Sequence, residues 1–476
     1  MNRIVGRVCW TSLAVIGVGV ALLGAAYGTL IHRFNPNPPS MKFPRPADPA
    51  EAQRQDLTYF RALLAMDKSF SPAARAEAQQ AITALESSAA PLSRQQLHVA
   101  LMKIMALADN GHSQVSIVPS GAEVDVLPVR VTAFSDGLYV MRARRVDGEI
   151  LGSRVEAVDN VPIDSVLTQL KSLRGGLPGF RLDKAALYLT VQDLLNGLGI
   201  SPDTGKSSWT VRLPSGAIVT RSLAAYPLGD TEPLADAPRW MSPEPLEAMG
   251  PDWLSLRPAA GEGALAQSLR NFDVAFVRES IDKSCATYVR MRAISDEGHQ
   301  QIKPFIRSTE DAFHAHPPCA IILDLRYSAG GDFTNTYRFM RHLPTLVAPG
   351  GHVYVLTDAM TFSAAITTAG FVKEAGGDAV TIVGEPMGDR LVFFAEGNRG
   401  CLPNSKLCVD YATGKHDYTQ PCSDWSVCFW LTWLYPVRVK TLSPDEFIPV
   451  QFSDWNLGHD VAFERSVQLA NQLVLR

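Results

Sequence analysis

The sequence predicts an α/β core preceded by a helical segment and interrupted by a smaller strand-rich unit. Three observations predict this. Cys319–Leu325, His352–Leu356 and Ala379–Val383 are short continuous apolar runs, the pattern of strands buried on both faces. The first two each lead through a loop into a helical stretch, the second from about Ser363 to Glu374. Between about 122 and 225 the pattern changes to short strands and turns.

The elements follow in chain order. No charged residue lies between Arg7 and His32, and Val8–Ile31 gives 24 residues, enough for one transmembrane helix. Trp10 and Tyr27 sit towards its ends, where amphipathic aromatics favour the interface. A cleaved secretory signal is the alternative, with Arg3 and Arg7 in front and Gly24-Ala25-Ala26 as the cleavage region. Either way the remainder is expected outside the cytoplasm, on the periplasmic or extracellular side of a cell membrane. Residues 1–33 are therefore anchor or signal, and the proline-rich 34–51 is an extended tether.

Residues 52–121 form the helical segment. Ser71-Pro72 reads as a cap with proline at the first helical position. Ser93-x-x-Gln96 is a capping box ahead of Leu97, Leu101, Ile104 and Ala108, and Asp109-Asn110-Gly111 ends that helix. In 122–225, Leu138–Met141 follows Asp136-Gly137, and Arg154–Val158 runs into Asp159-Asn160. Pro162 then opens a helix with Leu167 and Leu170 on one side. A strand, an Asp-Asn turn and a helix suggest a PDZ-like domain, with a generic α+β insert as the alternative. Residues 226–262, rich in Pro, Gly and acids, read as a linker, and 263–476 as the core.

Composition bounds the function. Hydrophobic residues are 46% and charged residues 19% of 476, which excludes wholesale disorder and collagen-like order. With 44 Lys plus Arg against 48 Asp plus Glu, the net charge of −4 provides no basic field, so no nucleic-acid partner is expected. Of seven cysteines, Cys9 lies in the apolar run. Cys401, Cys408, Cys422 and Cys428 fall in a short segment, 401–428, spaced C-x6-C and C-x5-C. Zinc sites use tighter pairs, so disulfides are favoured over a site built with His416; their pairing stays open. Cys285 and Cys319 could stay free. No metal or cofactor is expected.

Three loops present small or reactive residues after regular elements: Asp109–Ser113, Asp324–Gly331 and Thr357–Ala365. Ser363 enters a helix, where N–H groups are unpaired and partially positive. A serine there can attack a carbonyl while the Ala364 N–H faces the oxyanion. Its bland reading is an N-cap. Gly330 and Gly331 can turn N–H groups to the same place, or simply make a turn. His112 sits in a tight polar loop, unlike a core histidine.

The order GHS, DLRYSAGG, TFSAA and VGEPMG, then Pro444-Asp445 and Gly458-His459-Asp460 with Glu464, resembles the C-terminal processing peptidases. Tricorn protease and interphotoreceptor retinoid-binding protein belong to the same group. The resemblance covers roughly residues 90–476. It implies a Clp-protease/crotonase-like α/β core with Ser363 as nucleophile and Ala364 with Gly330 or Gly331 as oxyanion hole. Where one branch has a lysine base, Gly388-Asp389-Arg390 offers an arginine, which stays protonated. The tricorn-like branch uses a histidine, matching His112, with a serine, here Ser113, and a glutamate. Arg438 stands near the expected glutamate and Ile366 replaces another acid of the family; Asp109, Asp358 and Glu385 are the substitutes at hand.

The implied function is a membrane-anchored serine endopeptidase acting on peptides or unfolded protein tails. The alternative is an inactive relative that binds peptide or lipid, with Trp425, Phe429, Trp430, Trp433 and Tyr435 lining the site. Oligomeric state is not encoded in these motifs.

Overall fold

The computed structural model describes residues 24, 27–88, 90–121, 123–229, 234, 237–261 and 264–473. Its centre is a six-stranded sheet whose spatial order follows chain order: β1 (Phe276–Ser280), β2 (Ala286–Met291), β3 (Ala320–Asp324), β4 (His352–Thr357), β5 (Val380–Gly384) and β6 (Glu446–Phe447). β1 pairs antiparallel with β2, and each later neighbour is parallel.

Two-sided burial explains the unbroken apolar runs. All five residues of β3 are buried. Ile321 and Leu323 join Val353, Val355 and Ile382 in one core, closed by the helix Ala364–Gly376. Ile322 faces the other way, with Tyr354, Leu356, Val383 and, from the helix Val461–Leu473, Ala462 and Ala470. The helix Ala364–Gly376 is buried continuously from Ala364 to Val372. An amphipathic surface helix would not be.

The preceding helices span Pro49–Met66, Pro72–Glu86 and Arg94–Ala106. Ser71 accepts from the Ala74 N–H, and Ser93 and Gln96 make the reciprocal box that their spacing predicts. The strand-rich unit holds Val129–Phe134, Gly137–Arg144, Arg154–Val158, Lys206–Arg212 and Ile218–Ala224 in one sheet, with helices between. Val166 and Leu170 are the buried residues of its helix Ile163–Lys171.

Composition misled in three places. Within 226–262, read as a linker, Trp253–Ser255 pairs with Gly137–Arg144, and Trp240 and Trp253 are buried. The tether 34–51 is non-helical only between its ends, with residue 34 and residues 49–51 in helices, and it is docked, because Tyr411 and Tyr59 donate to the Pro36 and Pro39 carbonyls. Cys285 and Cys319 are not free: they form a disulfide joining the starts of β2 and β3. The remaining bridges are Cys401–Cys408 and Cys422–Cys428. The apolar run Val8–Ile31 lies mostly outside the described residues; residues 27–34 are helical. Among the described residues no helix is long and apolar enough to cross a membrane.

A buried ion cluster ties the core together. Arg326 donates to Asp324 at 2.6 and 2.9 Å and to Asp460 at 2.7 and 3.0 Å. None of the three side chains is more than 5% exposed. Burial alone would push the Asp460 carboxyl up, but the Arg326 charge and hydrogen bonds hold it below its usual range. Arg326→Leu would leave two buried carboxylates uncompensated, at a cost of about 3–5 kcal/mol. Urea unfolding checks this; a loss under about 1 kcal/mol would mean that the cluster is not the pin described.

Candidate active site

Ser363 occupies a strained turn. Its φ of 54° and ψ of −124° put it in a region that non-glycine residues rarely adopt, at a cost of roughly 1–3 kcal/mol. It precedes the helix Ala364–Gly376 but makes no side-chain capping bond. The ordinary reason for a serine at a helix start is therefore absent. Ala364, as first residue of that helix, carries an N–H with no intrahelical acceptor.

Gly330 packs against Ser363 and Gly331 against Ser295, each where a side chain would clash. A Cβ on Gly330 would lie 2.8 Å from the Ser363 Cβ and 2.9 Å from the Ala364 N, and Gly330 has φ +109°. A Cβ on Gly331, at φ +140°, would meet the Ser295 Oγ at 2.8 Å. Ser363, Ala364 and Gly331 line one cavity of about 370 Å³. The structure thus brings Ser363, Ala364, Gly330 and Gly331 together.

His112 lies beside this group. Its ring stacks on Phe362, the residue before Ser363, with centroids 4.4 Å apart, and on Phe393 at 5.5 Å. Both ring nitrogens are buried without a hydrogen-bond partner, so the Ser363 hydroxyl is not bonded to them. Burial, with the nearby His416 and Arg174, lowers the imidazole pKa to about 3. The Nδ1 lies 3.8 Å from Asp389 Oδ2, itself unpartnered. Burial pushes the Asp389 carboxyl up to about 6, against the pull of Arg390.

The loop that carries His112 is clamped from several sides. Arg174 donates to the Gly111 carbonyl at 2.6 Å, and Arg390 to the Asp109 carbonyl at 2.9 Å. The Asp109 carboxylate pairs with Arg181 and Arg390. Ser113 does not turn to His112: its hydroxyl donates to Asp67 at 2.6 Å and accepts from Asn110 at 3.0 Å. Asp109 and Ser113 thus hold the loop in place.

A second histidine faces the serine. His416 and Glu396 line the Ser363 cavity, and His416 Nε2 donates to Glu396 Oε1 at 3.3 Å. Its Nδ1 accepts from the Tyr418 hydroxyl at 3.4 Å. With both nitrogens engaged, the ring has no site left for a serine proton. Glu396 itself sits at φ +58°.

The other acids considered from sequence lie elsewhere. Asp358 and Glu385 line a separate, larger cavity of about 550 Å³, where the C-terminal ends of β3, β4 and β5 meet Thr132–Ser135 of the strand-rich unit. Burial is the main reason the Asp358 carboxyl is pushed up to about 7. It accepts from the N–H groups of Tyr327 and Met360, bracing the loop that ends at Ser363. Sequence reasoning passed over Asp389, Glu396 and Asp332. Asp389 adjoins Arg390, where a base was sought, and that position was its only signal.

Against known proteins, no family model and no curated protein matches the chain. Solved structures do. A serine-to-alanine mutant of CPAF is 13% identical, with 90% of this chain and 98% of that one covered, at a TM-score of 0.59. Mature CPAF complexed with lactacystin is 14% identical over the same shares, at 0.55. The photosystem II D1 C-terminal processing protease aligns over 86% of this chain and 98% of its own, at 15% identity and a TM-score of 0.33. The chain therefore has the fold of CPAF.

The buried imidazole makes a stability prediction that holds for any function. Below pH 6.5 the unfolded chain protonates His112, whereas the folded chain resists until about 3. Folding therefore loses up to about 1.4 kcal/mol per pH unit across that window. His112→Phe removes this loss, so its stability relative to wild type should rise by about 2 kcal/mol between pH 7 and pH 5. Parallel denaturation curves at the two values check it, and a constant difference would contradict it.

Proposed function

We propose that the chain is an exported serine peptidase of the C-terminal processing kind. The observation that carries this is Ser363: strained, uncapped, and met by Gly330 where a side chain would clash. The fold shared with CPAF, whose serine-to-alanine mutant has been solved, supports it.

Ser363 Oγ attacks the scissile carbonyl carbon. The N–H groups of Ala364 and of Gly330 or Gly331 receive the developing oxyanion, a contribution worth several kcal/mol in such sites. His112 takes the serine proton and returns it to the leaving amine as the C–N bond breaks. Water then hydrolyses the acyl-enzyme by the same route in reverse. Bound substrate has to draw the ring along its aromatic slot towards Ser363, as catalytic hydrogen bonds often tighten only in the complex. Asp389, 3.8 Å from Nδ1, is the carboxylate placed to accept a hydrogen bond from Nδ1–H and steady the imidazolium.

The strand-rich unit, in this reading a PDZ-like module, captures an extended chain by strand addition. Its share in the larger cavity supports that role. The three disulfides fit an oxidising compartment, with Val8–Ile31 as membrane anchor and the catalytic part on the periplasmic or extracellular side.

The test is exposure of the oxidised protein to a diverse peptide mixture, with new termini read by mass spectrometry. Wild type should cleave, whereas Ser363→Ala and His112→Ala, still folded, should not. Cleavage retained in Ser363→Ala removes the reading. Asp389 loses its charge as pH falls through about 6, so kcat/KM should drop on the acid side of that value. Asp389→Asn should lower activity roughly 10²–10⁴-fold and erase that limb of the profile.

A further inference from the structure

The cavity beside Ser363 has a composition unlike the rest of the core. Its walls include Phe333, Phe393, Phe429, Trp430 and Tyr435, with Tyr27 of the N-terminal helix closing one side against Trp430. Two carboxylates, Asp332 and Glu396, also line it, and among the described residues no Lys or Arg does. Aromatic faces attract cations, and uncompensated acids beside them add charge attraction.

The Glu396 side of this box is built rather than incidental. Thr367 and Tyr418 hydroxyls lie 2.5 Å apart, Tyr418 reaches His416 Nδ1, and His416 Nε2 reaches Glu396. His416 is only 3% exposed, so its ring is fixed by packing, stacked on Phe393 at 4.8 Å. Glu396, at the end of this chain of contacts, takes a left-handed backbone conformation, φ +58°.

We propose that this box is a substrate subsite for a basic side chain, lysine or arginine, placed next to the bond that Ser363 attacks. The proposal rests on the peptidase reading above and names its substrate class. Asp332 and Glu396 receive the cationic head, and the rings of Phe429, Trp430 and Tyr435 cover its stem. His416 is a positioning residue that acts through Glu396.

Two measurements on the full protein test this separately from catalysis. The first is calorimetric binding of benzamidine, with neutral benzamide as control, to the folded Ser363→Ala protein. Benzamidine should bind at least tenfold more tightly than benzamide, and Glu396→Gln should remove that difference. The second is the peptide mixture, in which cleavage sites should be enriched in Lys or Arg at one position next to the broken bond. Glu396→Gln should cut the basic-to-apolar ratio of kcat/KM at least tenfold, and His416→Phe should cut the same ratio. Cleavage with no basic preference, or equal binding of the two probes, overturns the subsite and leaves the peptidase standing. Glu396-dependent benzamidine binding without any cleavage upholds the subsite and removes the peptidase.

Discussion

Everything around Ser363 hangs from the turn that leaves β3. Arg326 is held by Asp324, two residues earlier, and by Asp460 at the start of the last helix, so the chain cannot shift where the strand ends. Tyr327 then takes a left-handed conformation and donates its N–H to Asp358. The Ser328 carbonyl accepts from the Phe362 N–H at 2.9 Å, and the Leu325 carbonyl from the Thr361 hydroxyl at 3.0 Å. Two loops from neighbouring strands are thereby laced together, and Gly330 is delivered against Ser363. A charged cluster inside a core is a poor source of net stability, because desolvation offsets the attraction. Its value here is in fixing a single geometry at the strand ends.

The second constraint is aromatic. Phe180, Phe362, His112, Phe393 and His416 form a continuous column of rings, with neighbouring centroids between 4.4 and 5.5 Å. Inside that column a protonated imidazole is expensive, which keeps His112 neutral and receptive to a proton at neutral pH. The same environment makes His112 a weak base unless something meets the new charge. Asp389 is the group at hand, and its own burial leaves it only partly ionised near pH 6. One dry slot thus disfavours the charged form of both groups, lowering the imidazole and raising the carboxyl.

Much of this was legible in the sequence, for identifiable reasons. Strands buried on both faces announce themselves as unbroken apolar runs, so β3, β4 and β5 were readable to within a residue or two. The capping box at Ser93 and Gln96 and the turn at Asp159-Asn160 depend on local chemistry and were equally plain. Long-range pairing was not. Nothing local tells that Cys285 meets Cys319, which parallel register brings together at the starts of β2 and β3. Trp253–Ser255 joins a sheet whose other strands lie more than 25 residues earlier, and its Pro- and Gly-rich surroundings disguised it. Ser113 adjoins His112 in sequence yet bonds to Asp67, 46 residues earlier, a pairing that no local pattern announces. Asp389 and Glu396 belong to no motif; only folding sets them beside His112 and Ser363.

Energetics separate the two readings of a serine at a helix start. A capping hydroxyl contributes about 1 kcal/mol and asks nothing unusual of the backbone. Ser363 forgoes that bond and takes on roughly 1–3 kcal/mol of strain besides. The surrounding lacing has to supply both. Gly330 and Gly331, at positive φ and with no room for a Cβ, add the entropy of ordering two glycines. A structural role would be served better by the cap and by an ordinary turn. These departures gather around one serine whose side chain caps nothing and which lines a cavity with Ala364 and Gly331.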